Sequence, residues 1–291
     1  MAEVELTFEQ IIRKFSEWAK NQTNIRSVII IGSRARTDHP ADEWADLDFV
    51  VFADDVPAYI SQDSWVKNFG NVVLTFVEPA ADGSIMERRV MYENGLDVDF
   101  AFIPLEMISQ MLENVIPSEL HNAFSRGAKV LFDKDGLVAQ LVKKGIKKPV
   151  FKPPSKEEFL NCVSDFWFHA VWTAKHLRRG ELWWAKSACD DHLKSILRKM
   201  LEWQARAKKG RNYDTWLRGR FLEQWADPKA VQELIAAFAH YDKKDVWQAL
   251  INTMDILRWV AKETAQGFGY PYPTDADKYA TALVLQFQLE R

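Results

Sequence analysis

Between Ile25 and Phe52 the chain carries two strand-like runs joined by a polar loop, and that pairing limits the available folds more than any other feature. The first run, Ile25-Arg26-Ser27-Val28-Ile29-Ile30-Ile31, is largely β-branched and passes directly into Gly32-Ser33-Arg34. An apolar run closed by Gly-Ser reads as a buried strand ending in a tight turn. The second run opens with Asp46-Leu47-Asp48 and continues to Phe52. Side chains in a strand alternate faces, so Asp46 and Asp48 project from the same face. Two carboxylates placed in this way repel each other unless a cation lies between them. Mg2+ meets that need, because it binds one or two carboxylates together with substrate phosphates and water. Gly32 lets the backbone approach a phosphate closely. The amides of Ser33 and Arg34, with their hydroxyl and guanidinium, can receive its charge. No Gly-Lys-Ser/Thr follows, so the turn is not a Walker motif.

A further acidic pair lies downstream. Asn71 to Glu78 reads as a strand, and Arg88–Tyr92 and Leu96–Ile103 flank Asn94-Gly95, a two-residue hairpin signal. The second arm, Leu96-Asp97-Val98-Asp99-Phe100-Ala101-Phe102-Ile103-Pro104, again puts two carboxylates on one strand face. A third carboxylate facing Asp46 and Asp48 can help hold a second divalent cation and can take the proton of an attacking hydroxyl. By spacing alone, either Asp97 or Asp99 fills that role.

The remaining chain supplies helices. Phe8, Ile11, Ile12, Phe15, Trp18 and Ala19 recur with helical period behind a Thr7/Gln10 capping box. A helix is expected over 56–69, with short helices at 105–112 and 117–126 and a strand at 129–132. Prolines 149, 153 and 154 mark a boundary, giving domains at 1–150 and 151–291. Ser155 with Glu158 caps the next helix. Helices are expected over 156–179, 183–208, 213–225, 229–240, 243–266 and 275–289.

Composition narrows the function classes. With 38 basic and 41 acidic residues the formal charge is −3, and there is no basic stripe of the kind that holds nucleic acid. No apolar run approaches a bilayer span, and Met1–Glu5 is acidic where a secretory leader is basic. Cys162 and Cys189 alone make no disulfide framework, which fits a reducing cytoplasm. The load of 12 Trp and 18 Phe, weighted to the chain after residue 150, reads as bulky helical packing, with stacking on a base or sugar as the alternative. His169 and His176 lie seven apart with His192 on the next helix. Without a closer pair or added Cys/Glu ligands, that spacing argues against zinc. No Gly-x-Ser-x-Gly elbow supports a serine hydrolase.

Gly-Ser after one strand and Asp-x-Asp opening the next together resemble the nucleotidyltransferase superfamily built on the DNA polymerase β palm. Along nearly its whole length the chain is similar to bacterial aminoglycoside 6-adenylyltransferases, the streptomycin nucleotidyltransferases. The similarity runs through Gly32-Ser33-Arg34, Asp46-Leu47-Asp48, Leu96 to Pro104, Leu131-Phe132-Asp133-Lys134-Asp135 and Phe166-Trp167. It continues through Lys175, Arg179 with Glu181, Asn212-Tyr213 and Tyr272-Pro273. The resemblance implies an α+β protein: an N-terminal polymerase β-like palm, a mixed sheet flanked by helices, followed by a C-terminal helical bundle that binds substrate. It further implies Asp46, Asp48 and Asp99 as catalytic Mg2+ ligands, Asp99 standing five residues before Pro104 as the family pattern has it. Gly32, Ser33, Arg34 and Lys175 would bind ATP. Glu181 and Asp191 are candidates for the aminoglycoside wall. Asp97 falls where the family pattern has a basic residue; it is an addition of this sequence and a further substrate-binding candidate. The expected activity is AMP transfer from ATP to an aminoglycoside hydroxyl, with streptomycin as acceptor, by a cytoplasmic monomer acting without nucleic acid or membrane. The alternatives are another small hydroxylated acceptor such as a lincosamide, or a nucleotide-binding module without catalysis.

Overall fold

The structure is a computed structural model that describes residues 6–80, 85–113, 116, 118–143 and 151–289. It divides into two compact units, Met1–Pro149 and Val150–Arg291. Residues 147–150 of the proline-bearing stretch lie outside the described residues, as do Met1–Glu5 and Pro117.

The first unit is α+β. Helix α1 (Phe8–Asn21) starts on the expected capping box: Thr7 Oγ1 accepts from the Gln10 amide, and the Gln10 side chain accepts from the Thr7 amide. Strands β1 (Ile25–Ile31) and β2 (Leu47–Ala53) follow, then the single turn α2 (Pro57–Ile60), β3 (Val72–Pro79), β4 (Met86–Tyr92) and β5 (Leu96–Pro104). Helices α3 (Glu106–Glu113) and α4 (Ser118–Arg126), strand β6 (Lys129–Asp133) and helix α5 (Leu137–Lys143) complete it. The six strands form one mixed sheet in the order β3-β4-β5-β2-β1-β6, with β2 and β5 parallel and the remaining neighbours antiparallel.

Both sheet faces are covered, which explains why β1 and β2 read as continuous apolar runs. Val28, Ile30, Phe49, Val51 and Phe100 pack with Phe8, Ile11 and Phe15 of α1. Ile29, Val50, Phe52 and Ile103 pack with Ile108, Met111, Val138 and Leu141 on the other side. Phe15 meets the rings of Phe49 and Phe100 at centroid distances of 4.6 and 4.8 Å. Burying each such ring stabilises the unit by about 1.5–3 kcal/mol.

Two expectations need correction here. The segment 56–69 is not one helix but α2 followed by a 3-10 turn, Ser64–Asn68. The Trp65 indole N–H donates to the carbonyls of Tyr59 and Gln62, taking acceptors a continuous helix would have used. The β4–β5 connection is a three-residue loop, Glu93–Gly95, rather than a two-residue one. Asn94 and Gly95 both have positive φ, 63° and 72°. The longer loop fixes the register at Tyr92↔Leu96 and Arg89↔Asp99.

The second unit is helical. It contains α6 (Lys156–Arg178), α7 (Leu182–Ser187), α8 (Leu193–Lys209), α9 (Leu222–Trp225), α10 (Pro228–Leu234), α11 (Lys243–Phe268) and α12 (Thr274–Leu289). The Ser155/Glu158 capping box opens α6. One wide π turn, Ala188–His192, lies between α7 and α8, where a single α-helix was expected. The stretch 213–225 is mostly irregular rather than helical: Trp216, Arg218 and Phe221 have φ of 50°, 57° and 55°. Its carbonyls bond to side chains instead, with Trp225 Nε1 donating to Arg220 O at 2.8 Å. Asp277, 4% exposed, holds α12 to α11 by accepting from Arg258 Nε through both oxygens at 2.9 and 3.0 Å. No helix among the described residues is long and apolar enough to cross a membrane.

Candidate active site

The β2–β5 register brings the acidic residues together. Because these strands run parallel with Asp48 beside Asp99, their side chains leave the sheet on the same face. Asp46 immediately precedes β2 and joins them: one carboxylate oxygen from each of Asp46, Asp48 and Asp99 lies within 4.8 Å of the others. An all-oxygen set of this kind fits a hard divalent cation such as Mg2+. Asp97 shares the strand face of Asp99 but does not join the group.

The glycine turn abuts these acids. Gly32 has φ +72°, and a Cβ built on it would lie 2.2 Å from Asp48 Oδ2. The turn continues as a 3-10 segment, Gly32–Arg34, in which Ser33 is 7% exposed. Ser33 Oγ is buried and has no hydrogen-bond partner among the described residues. A buried hydroxyl without a partner is costly in a resting protein and is free to donate to an acceptor brought to it.

Arg34 has a different setting from the phosphate contact expected of its guanidinium. Its Nε donates to Asp46 O at 3.0 Å and a terminal nitrogen donates to Ala45 O at 2.7 Å. The guanidinium also lies 3.7 Å from the centre of the Phe8 ring. Burial pushes its pKa down, against the acids nearby, Glu9, Asp46, Asp97 and Asp42. Arg34 thus holds the backbone that delivers Asp46.

Asp99 is 9% exposed, and burial raises its carboxyl to about 7. Glu87, Asp46 and Asp97 add to the shift, while Arg89 opposes it. Arg89 contacts Asp99 Oδ2 at 3.3 Å and is shared with Glu87 at 2.9 Å and Glu78 at 2.5 Å. Sequence reading missed Arg89. A two-residue hairpin would have paired Arg89 with Phe100, and only the three-residue loop sets it opposite Asp99.

Lys175, Glu181 and Asp191 lie in the second unit, each in a separate setting. Lys175 is exposed near the end of α6. Glu181 is bonded to His176 Nδ1 and accepts from Arg179 Nε at 2.7 Å, and these two hydrogen bonds hold its carboxyl below the usual range. Asp191 is exposed and lines a cavity of about 460 Å3. The charged lining of that cavity is balanced, with Asp190, Asp191 and Glu223 against Lys194, Arg198 and Arg218.

Comparison with known proteins gives the family. The family model for streptomycin adenylyltransferase matches residues 7–286, nearly the whole chain. The chain belongs to that family. Membership makes it a nucleotidyltransferase. A curated relative, the aminoglycoside 6-adenylyltransferase of Bacillus subtilis, is 25% identical over 276 residues, covering 91% of this chain and 92% of the relative. The Staphylococcus aureus protein of the same name is 24% identical, covering 92% of this chain and 94% of its own. Among solved structures, an aminoglycoside 6-adenyltransferase from Bacillus subtilis aligns over 98% of this chain and 100% of that one, at 22% identity and a TM-score of 0.45.

Proposed function

We propose that this member of the streptomycin adenylyltransferase family transfers AMP from ATP to a hydroxyl of an aminoglycoside, with streptomycin as the acceptor. The observation carrying the proposal is the convergence of Asp46, Asp48 and Asp99 beside the Gly32–Ser33 turn. Support for the acceptor class comes from the aminoglycoside-modifying relatives over matching length.

In this reading Asp46, Asp48 and Asp99 hold Mg2+. The ion, when bound, neutralises phosphate charge and polarises the α-phosphoryl group. Gly32 lets the triphosphate approach the backbone, and Ser33 Oγ donates to a phosphate oxygen. Arg34 acts as a positioning residue through the Ala45 and Asp46 carbonyls. Asp99, the buried member of the three, accepts the proton of the attacking hydroxyl. The hydroxyl oxygen bonds to the α-phosphorus as the bond to pyrophosphate breaks, so no covalent enzyme intermediate is needed. Asp97, on the strand face of Asp99, offers a further carboxylate to the cationic acceptor. We place this chemistry in a cytoplasmic monomer that uses small molecules and no nucleic acid.

Mass spectrometry of streptomycin after incubation with protein, Mg2+ and ATP tests the proposal. A mass gain of one AMP unit is expected, with none on lincomycin or kanamycin. Modification of either of those instead would reassign the acceptor, and no modification of any of the three would reject it. Ser33→Ala should lower kcat/KM by roughly 10- to 100-fold, the worth of a hydrogen bond to a charged oxygen. Its melting temperature should not fall, because the hydroxyl removed has no partner among the described residues.

A further inference from the structure

A second set of donors converges within the helical unit. Asp165 and His169 lie one turn apart on α6, and His192 closes the π turn before α8. His169 Nδ1 is 2.6 Å from Asp165 Oδ1, His192 Nε2 is 3.0 Å from the same oxygen, and the two ring nitrogens are 3.2 Å apart. These atoms are one of two such groups among the described residues, the other being the acidic site of the first unit. His169, His176 and His192 offer no pair at close spacing in the sequence. The close pair is instead an aspartate and a histidine four residues apart, which helical geometry stacks on one face.

We propose that Asp165, His169 and His192 form a Zn2+ site. Two imidazole nitrogens and one carboxylate oxygen make a borderline donor set, suited to Zn2+ rather than to the oxygen-seeking Mg2+. Donors at the corners of a zinc tetrahedron with bonds of about 2.0–2.1 Å lie roughly 3.3 Å apart. The observed separations of 2.6, 3.0 and 3.2 Å require the donors to move apart, by roughly 0.7 Å at most, between Asp165 and His169. They have room to do so, being 37%, 33% and 40% exposed. His169 Nδ1 also lies 3.0 Å from Asp165 O, a contact the ion would replace. The π turn is a second, independent indication. It inserts an extra residue between α7 and α8 and so changes the direction in which His192 projects; such turns recur at functional sites. Water completes the coordination, and the ion staples α6 to the start of α8.

The test uses untagged, chelator-treated full-length protein titrated with Zn2+ against a chromophoric chelator, in millimolar Mg2+ to occupy the oxygen site. One zinc per chain is expected to bind, with a rise in melting temperature. His169→Ala and His192→Ala should each weaken that binding by more than about 100-fold and abolish the rise. Asp46→Asn should leave both intact. Far-UV circular dichroism of the histidine variants checks that the helices are retained. Cobalt(II) gives a second readout through visible absorption bands that depend on His192. Absence of zinc uptake at micromolar concentration, or uptake unchanged by both histidine substitutions, would overturn the assignment, as would uptake lost only in Asp46→Asn.

Discussion

Asp99→Asn is expected to lower the proposed AMP transfer by about 10³-fold or more, the combined worth of the general base and metal ligand proposed at this position, while making the metal-free protein more stable. The two effects have one cause. Burial raises the Asp99 carboxyl from 3.8 to about 7, with Arg89 providing only partial relief. Between those values the unfolded chain has released this proton and the folded chain still holds it. Stability is therefore fully present below the lower value, declines as pH rises through the interval, and stays reduced above about 7. An asparagine has no proton to lose and escapes that penalty, for a gain on the order of 2–4 kcal/mol at pH 8. Arg89 keeps Glu78 and Glu87 as partners in the variant. Chemical denaturation in chelator at pH 4 and pH 8 checks this: the advantage of the variant should be small at the lower pH and large at the higher one. A variant less stable than the parent at pH 8 would contradict the account.

Gly32→Ala is expected to reduce kcat/KM by about 100-fold or more, the scale of an ångström-level misplacement of a reacting group. The added methyl would lie 2.2 Å from Asp48 Oδ2, so the carboxylate must leave its place beside Asp46 and Asp99. The substitution also forces an L side chain into φ +72°, costing about 1–2 kcal/mol. Gly95→Ala separates the two effects. Gly95 has the same φ of +72°, but nothing among the described residues lies within 4 Å of its would-be Cβ. It should show a similar loss of stability in denaturation and nearly full turnover. Equal turnover in both variants would mean that the crowding at Gly32 is unimportant.

These residues also show how far the sequence reaches. Asp46 and Asp48 were legible because strand parity alone puts them on one face, and β1 and β2 because two buried faces leave a continuous apolar signature. Asp97 and Asp99 have the same parity, so no local rule separates them. The parallel pairing of Asp48 with Asp99 does, and it is a contact between strands far apart in the chain. Arg34 looked like a phosphate ligand from its place after Gly-Ser, yet its hydrogen bonds run to backbone carbonyls eleven and twelve residues on. The stretch 213–225 has helical composition but is broken by positive φ at Trp216, Arg218 and Phe221, where Trp216 and Phe221 pack ring to ring at 4.8 Å. Tertiary packing overrides propensity there. The π turn that carries His192 leaves no periodic signature at all.

The Arg34 latch has an evolutionary consequence. It grips main-chain oxygens, which every amino acid supplies, so apart from Asp42, whose carboxylate accepts from the Trp44 amide, the residues between Arg36 and Ala45 carry little of the task of aiming Asp46. Trp44, 86% exposed within that span, illustrates the licence. Homologues should diversify this excursion freely, trading its surface chemistry for new acceptors or surroundings, while the anchor beneath it stays put.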